Sequence, residues 1–155
     1  LRKVLEAENK PELMALMLQK EVAERLVAKP GEMSLLAVSV QFYAKPEIVE
    51  IVKKENFFPR LEVDSAIVKI RSHQPPLAPL VRGVNREKEF FRLVKFGFSA
   101  KRKMLKNNLA AGLKIDVKLA EERLASAGFQ PKIRAQELSV DDWLKLFSVF
   151  GAKML

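Results

Sequence analysis

Three prolines within eight residues divide this chain into two parts. Residues 72–79 are Ser-His-Gln-Pro-Pro-Leu-Ala-Pro and show neither helical nor strand periodicity. Proline fixes its own φ, lacks an amide donor and disfavours helical geometry in the preceding residue, so regular structure does not continue through such a segment. We therefore predict a linker over residues 73–84, between one domain over residues 1–72 and a second over residues 85–155.

Strand and helix patterns alternate in the first part. An apolar run after Pro11 predicts a buried strand, and the helix after it ends at Lys29-Pro30-Gly31. Ser34 is a suitable N-cap for a second helix, and two β-branched segments then predict strands joined by a loop at Phe57. The predicted elements are a strand over residues 13–18, helices over about 20–28 and 34–43, and strands over 48–52 and 63–70. A strand followed by a helix is one step of an α/β sheet.

Beyond the linker the apolar spacing is helical. Two stripes repeat the i, i+3, i+7 spacing, and a third begins with a capping-box-like pattern from Ser139 to Asp142. The stripes are Phe91, Val94 and Phe98; Val117, Ala120 and Leu124; and Trp143, Leu146, Phe147 and Phe150. We expect Trp143 and the Phe91/Phe98 stripe to lie in a helical core. The fold class predicted for the whole chain is α/β followed by a small α domain.

The positive charge is concentrated in the second part. The net charge is +9, yet residues 1–80 carry 12 Lys/Arg against 11 Asp/Glu, whereas residues 81–155 carry 16 against 8. The densest segment, residues 86–106, holds eight cations and only two acids. Such a cluster attracts a polyanion and makes binding salt-dependent, although a solvated helix face is the simpler alternative.

Composition excludes several other classes of function. The chain has no Cys and one His, His73, which excludes disulfides, thiol catalysis, Cys-based zinc sites and paired-His metal motifs. His73 lies among prolines, so we expect no catalytic role for it. Apolar runs are far shorter than the ~18 residues a membrane span needs. We therefore expect no metal site and no membrane partner, and the absence of Cys is consistent with a cytoplasmic location.

A motif in the first part indicates a family. Residues 57–65, Phe-Phe-Pro-Arg-Leu-Glu-Val-Asp-Ser, resemble the F-x-P-x-P-x-V-x-S element of the ribosomal RNA adenine dimethyltransferases, the KsgA and Erm group. Phe57, Pro59, Val63 and Ser65 match it, while Leu61 replaces the second proline and Glu62 replaces a residue that is usually basic. Three further segments also match, one before and two after this motif, and all appear in family order: Lys29-Pro30-Gly31, residues 98–109 and Arg134-Ala135-Gln136-Glu137-Leu138.

The resemblance also identifies motifs that this sequence does not contain. Family members hold S-adenosylmethionine in a glycine-rich strand-to-helix turn and position the adenine amine with an Asn-(Leu/Ile)-Pro-Tyr motif. Neither occurs in these residues. We therefore interpret the chain as the carboxy-terminal half of such an enzyme, with residues 1–72 as the last part of a Rossmann-like methyltransferase domain. This interpretation assigns no catalytic and no cofactor-binding residue to the chain and predicts that it has no activity alone.

The resemblance implies functions for particular residues. Phe57 and Pro59 would form one wall of the pocket for the flipped-out adenine, with Phe57 stacking on the base and Phe58 packing in the core. A core role for Phe57 is the simpler alternative, since aromatic side chains are usually buried for their area. The predicted RNA-binding residues are Lys101, Arg102, Lys103, Lys106, Asn107 and Asn108, because amides beside a cationic turn bind phosphates or base edges.

The function that follows from the resemblance is dimethylation of small-subunit ribosomal RNA, with the small ribosomal subunit as partner. Two alternatives stay open: an Erm-type enzyme acting on large-subunit RNA, and a non-catalytic RNA-binding assembly factor with the same fold. A further expectation concerns residues 13–19. If they form an inner strand whose neighbour is missing, the open edge favours self-association.

Overall fold

A computed structural model describes residues 1–7, 9–74 and 86–151. The chain forms two compact units, one of Leu1–Ala28 and Leu36–Pro76, the other of Lys29–Leu35 and Leu77–Leu155. Residues 29–35 belong to the second unit because Gly31 and Met33 donate their backbone N–H groups to the Gln136 carbonyl, at 2.8 and 3.1 Å. Most of the predicted linker, residues 75–84, lies outside the described residues, and the predicted domain limits stay a prediction.

The first unit contains a three-stranded sheet. Its elements are α1 (Arg2–Leu5), β1 (Leu13–Gln19), α2 (Lys20–Leu26), α3 (Leu35–Gln41), β2 (Ala44–Val52), a 3-10 turn (Lys54–Asn56) and β3 (Ser65–Ser72). The strand order is β1-β3-β2, with β3 antiparallel to both neighbours. Gln19 and Val52 both pair with Ser65, so β1 and β2 end beside the start of β3. The segments that follow β1 and precede β3 therefore meet at one end of the sheet.

The helix α2 packs on all three strands, and the buried face of the sheet contributes to the core of this unit. Ala66, Val68 and Ile70 alternate along β3 and are fully buried, as period-two side chains on one face should be. α2 contributes buried Ala23 and Leu26. The side-chain Nε2 of Gln41 donates to the carbonyl oxygens of Leu26 and Ala28, both at 2.9 Å, which satisfies carbonyls at the end of α2.

The prediction that residues 13–18 form a fully buried strand was right about the strand and wrong about its burial. β1 alternates between exposed and half-buried side chains. Among the described residues β1 pairs with β3 alone, so it is an edge strand. Leu13 and Met17, on its outer face, are 50% and 52% exposed. The continuous apolar run therefore does not correspond to continuous burial in these residues.

The second unit is helical. It contains α4 (Arg86–Gly97), α5 (Leu105–Leu113), α6 (Val117–Ser126), a 3-10 turn (Ala135–Glu137) and α7 (Val140–Phe150). α4 packs on α5 and α7, and α6 packs on the same two helices. The Phe90 ring meets those of Phe91 and Phe147 edge to face, with centroids 5.2 and 5.8 Å apart. Among the described residues no helix is long and apolar enough to cross a bilayer.

The predicted last helix is confirmed in detail. The Ser139 hydroxyl accepts from the Asp142 N–H at 3.1 Å, and an Asp142 carboxylate oxygen accepts from the Ser139 N–H at 3.1 Å, which is a capping box. The predicted stripe of Trp143, Leu146, Phe147 and Phe150 is buried. Trp143 lies so close to α4 that a Cβ at Gly97 would come within 2.2 Å of its ring, so this helix crossing needs glycine.

Candidate functional site

The segment between β2 and β3 forms an ordered loop, residues 53–64, which we call the substrate loop after the role that the family resemblance predicts for it. Asp64 closes its base: one carboxylate oxygen accepts from the Lys54 N–H and the other from the Lys53 ammonium, each at 3.1 Å. The Lys54 N–H, helped by the Lys53 ammonium, holds the pKa of the Asp64 carboxyl below its ordinary value. Farther along, the Leu61 N–H donates to the Lys54 carbonyl at 3.4 Å, and Arg60 pairs with Glu55. These contacts fix the loop on both sides of its tip.

The two aromatic side chains at the tip of the substrate loop differ in exposure. Phe57 is half-buried and Pro59 is exposed. Phe58 is fully exposed, with a relative accessibility of 103%. The prediction that Phe58 packs in the core is therefore wrong, because the closed loop turns this side chain to solvent. The assignment of Phe57 and Pro59 to a base pocket stays a prediction.

A cleft of about 410 Å³ lies beside the substrate loop at the carboxyl end of β1. The Lys20 N–H donates to the Asp64 carbonyl at 3.0 Å, which joins the start of α2 to the end of the loop. Ligands of α/β sheets gather at the carboxyl ends of strands. Gln19, at the N-cap position of α2, makes no side-chain capping bond and lines the cleft. The lining residues are Gln19, Lys20, Glu21, Glu24, Lys54, Glu62, Val63 and Asp64.

The second candidate surface is the connection between α4 and α5, residues 98–103, which we call the cationic turn. Lys101, Arg102 and Lys103 are exposed there, and among the described residues no carboxylate is paired with them. The turn is ordered by its backbone, since the Lys103 N–H donates to the Ala100 carbonyl at 3.1 Å. Three adjacent cations on an ordered turn can contact phosphates together.

Asn108 orders the cationic turn from beneath. Its side chain is buried, and its Nδ2 donates to the carbonyls of Gly97 at 2.6 Å and Ala100 at 3.0 Å. In this arrangement the amide nitrogen is already bonded within the protein. The structure therefore gives Asn108 a positioning role beneath the turn, and any contact with RNA would come from the residues above it.

The remaining predicted RNA-binding residues are less exposed than the cationic turn. The Lys106 ammonium pairs with Glu121 at 2.6 Å, and its side chain is 18% exposed. Asn107 is half-buried in the first turn of α5. Elsewhere in the predicted cluster, the guanidinium groups of Arg86 and Arg92 lie over the rings of Phe147 and Phe96, 5.7 and 5.6 Å from the centroids. Some of the cationic side chains of this segment therefore pack against aromatic rings of the helical unit.

Sequence reasoning missed two cations beside this turn. The Leu105 N–H donates to the Ile133 carbonyl at 2.9 Å, which brings residues 132–134 to the start of α5. Lys132 and Arg134 are exposed on either side of that contact. The family segment beginning at Arg134 was a signal, but nothing local linked it to a turn 30 residues earlier in the chain.

Metal-ligating groups do not cluster in the described residues: no set of three or more His, Cys, Asp or Glu side chains there could hold a metal ion. What the described residues do provide is a loop beside a cleft and an ordered cationic turn. The cationic turn suits the phosphates of a nucleic acid, whereas the cleft is lined by four carboxylates and two lysines.

Architecture and comparison with known proteins together define the class. The three strands with antiparallel β3 between β1 and β2, followed by a helical unit, form part of a Rossmann-like methyltransferase fold with its appended helical domain. A sequence model described as "Ribosomal RNA adenine dimethylase" matches residues 1–151, and the chain belongs to that family. The predicted family and fold class are both confirmed.

Individual relatives agree with this assignment. The chain is 46% identical over 150 residues to Ribosomal RNA small subunit methyltransferase A of Dehalococcoides mccartyi, a match that covers 97% of this chain and 50% of the relative. The protein of that name from a Nostoc species is 39% identical over 142 residues, covering 90% of this chain and 50% of the relative. The chain thus spans about half the length of the curated relatives it matches.

Two solved structures have the same fold. A dimethyladenosine transferase from Plasmodium falciparum matches with a TM-score of 0.77 and 25% identity, over 99% of this chain and 62% of that one. The 23S rRNA methyltransferase ErmE matches with a TM-score of 0.69 and 25% identity, over 96% of this chain and 58% of that one.

Proposed function

We propose that this chain is the substrate-recognising part of an S-adenosylmethionine-dependent methyltransferase that dimethylates adenines of small-subunit ribosomal RNA. One observation carries the proposal: the family motif forms an ordered loop beside a cleft at the carboxyl end of β1. The names of relatives with 46% and 39% identity support a small-subunit substrate. The match to ErmE, at 25% identity, is the observation that favours the alternative, a large-subunit substrate.

In this proposal the substrate loop forms one wall of the base pocket. An enzyme that modifies a base must take it out of its stack, which costs a few kcal/mol. The half-buried ring of Phe57 offers a flat face that partly offsets this cost, and Pro59 limits the backbone freedom of the loop that presents it.

The cofactor would supply the methyl group from outside these residues. Neither the glycine-rich turn nor the Asn-(Leu/Ile)-Pro-Tyr motif of the family occurs in this sequence, and no glycine lines the cleft. The residues of this chain therefore do not fit the role of cofactor site. We assign them substrate binding and no step of methyl transfer.

The cationic turn would hold the RNA backbone. Lys101, Arg102 and Lys103 are exposed and adjacent, and Asn108 fixes the turn that carries them. Phosphate contacts of this kind position an RNA without reading its sequence. The names of the relatives make the small ribosomal subunit the proposed partner, and the proposed location is the cytoplasm.

A chimera tests the proposed function. The upstream half of the D. mccartyi relative would be joined to this chain at the matched boundary, and transfer of labelled methyl groups to unmodified small and large ribosomal subunits would be measured. We expect label in the small subunit, at the adenines modified by the intact relative. A folded chimera that labels only large subunits would favour the ErmE-like alternative. A folded chimera that binds cofactor and RNA but labels neither would support the non-catalytic alternative.

A further inference from the structure

Phe58 is the most exposed large apolar side chain among the described residues. Its relative accessibility is 103%, against 59% for Val49, the next in order. Leu61 and Val63, in the same substrate loop, are 41% and 48% exposed. A phenyl ring held fully in water forgoes the free-energy gain of burial, and exposed apolar groups gathered at one place commonly mark a binding surface.

The loop holds the backbone of Phe58 in place. Asp64 bonds to the Lys54 N–H and the Lys53 ammonium, the Leu61 N–H reaches the Lys54 carbonyl, and Arg60 pairs with Glu55 across the loop. Contacts lie on both sides of the tip, so Phe58 is presented by an ordered backbone. A side chain on an ordered backbone loses less conformational entropy on binding than one on a mobile loop.

We propose that Phe58 is a second base-stacking residue, which packs against an unpaired nucleotide next to the target adenine while Phe57 faces the adenine itself. This inference rests on the proposed function, because it requires RNA at the substrate loop. When one base leaves its stack, its neighbours lose a stacking surface, and an exposed ring beside the pocket can replace it.

The composition of the loop favours a base over a protein surface as the occupant. A stable protein interface buries about 800 Å² on each partner, whereas the exposed apolar groups here are one ring and the partly exposed side chains of Leu61 and Val63. A single exposed ring matches the area of one base. Every base has an apolar face, so we expect Phe58 to favour unpaired RNA without selecting its sequence.

Binding of the 155-residue chain to two RNAs tests this inference. The probes are a single-stranded oligoadenylate and a fully paired RNA duplex of the same length. We expect Phe58→Ala to weaken binding of the single strand by roughly five- to a hundredfold, the range for removal of one stacking face, and to leave duplex binding within about twofold. Val49→Ala, which removes another exposed apolar side chain of the same unit, is the matched control and should change neither affinity.

A second variant reports the interaction directly. In Phe58→Trp we expect the fluorescence of the added indole to be quenched when the single strand binds. Trp143 is fully buried and contributes a constant fluorescence background. Equal losses of affinity for both RNAs in Phe58→Ala, or unchanged affinities with no quenching in Phe58→Trp, would overturn the stacking role while leaving the proposed function intact. Failure of the unmodified chain to bind either RNA would overturn both.

Discussion

At the scale of single residues, the substrate loop depends on Asp64. Its two carboxylate oxygens are bonded to different groups, the Lys54 N–H and the Lys53 ammonium, and its own carbonyl accepts from the Lys20 N–H. One side chain thus closes the loop, while its backbone joins the loop to the first turn of α2. The order of the loop that carries Phe57 follows from these bonds, although Phe57 itself is not among the residues that line the cleft.

The lowered pKa of Asp64 predicts how the loop responds to acid. The Lys54 N–H, and after it the Lys53 ammonium, favour the charged form of the Asp64 carboxylate. The stabilisation that this carboxylate gives to the loop is therefore fully present above the ordinary pKa of 3.8, and it is lost as the pH falls through the lower pKa of the folded state. The amide resonance of Lys54 should report this titration in NMR spectra, with a midpoint below 3.8. Asp64→Asn should abolish the titration. A midpoint at or above the ordinary value would contradict the two hydrogen bonds.

Phe57 is expected to matter for turnover more than for affinity. In the chimera, Phe57→Ala should lower kcat/KM for methylation by about 5- to 100-fold, because one stacking face is removed from the base pocket. RNA affinity should stay within about twofold, because stacking on Phe57 only offsets the cost of taking the target adenine out of its stack, whereas Phe58 would meet a base that is already unpaired. Phe57→Tyr keeps the aromatic face and is the control. Wild-type turnover in Phe57→Ala would return this residue to the simpler role of core anchor.

At the scale of elements, the cationic turn shows how a buried amide can support an exposed surface. Asn108 lies on α5, yet its two bonds reach Gly97 at the end of α4 and Ala100 in the turn. The carbonyls at the end of a helix need partners, and here a side chain from the next helix provides them. The exposed cations and the helix pair are therefore stabilised by the same residue.

Removing this amide should destabilise the helical unit. Asn108→Ala leaves two carbonyls without their partner, at a cost of about 1–3 kcal/mol in the free energy of unfolding. Urea denaturation of the chain measures the change. Asn107→Ala, at the half-buried neighbouring position, is the control and should cost clearly less. If both variants lose the same stability, the bonds to Gly97 and Ala100 do not hold the turn.

How far the sequence predicts these elements depends on the range of the interactions. The capping box of Ser139 and Asp142 and the stripe that follows it are local, and both were predictable. The sequence assigned Asn108 to RNA binding and did not predict its bonds to Gly97 and Ala100, because these bonds depend on how two helices pack. Lys132 and Arg134 were missed for the same reason, since only the hydrogen bond between Leu105 and Ile133 brings them near the turn.

At the scale of the whole chain, the two parts differ in net charge. Residues 1–80 are nearly neutral and carry the substrate loop, whereas the excess of Lys and Arg falls in residues 81–155, with the cationic turn. Base recognition and phosphate binding are thus assigned to different units. Mutations in the substrate loop should consequently alter turnover and the preference for unpaired RNA, whereas mutations in the cationic turn should alter the salt dependence of binding.

Salt dependence distinguishes the cationic turn from net charge. Replacing Lys101, Arg102 and Lys103 by Glu should weaken binding to unrelated RNAs and reduce the slope of log K against log salt by roughly 0.7–0.9 for each phosphate that is no longer bound. Replacing Lys3, Lys29 and Lys45 by Glu, all exposed and outside the turn, makes the same formal change in charge. Equal effects of the two triple variants on affinity and slope would show that only the overall charge matters.

The edge of β1 predicts the assembly of this chain in solution. Among the described residues β1 pairs with β3 alone, and Leu13 and Met17 are about half-exposed on its outer face. An unpaired edge with apolar neighbours favours strand pairing between copies, so sedimentation should show association that increases with protein concentration. Met17→Lys should weaken that association, because a charged side chain opposes edge pairing, whereas Val117→Lys, at an exposed position on the helix α6, should not. A chain that stays monomeric at every concentration, with the outward amides of β1 exchanging freely, would show that this edge does not drive assembly.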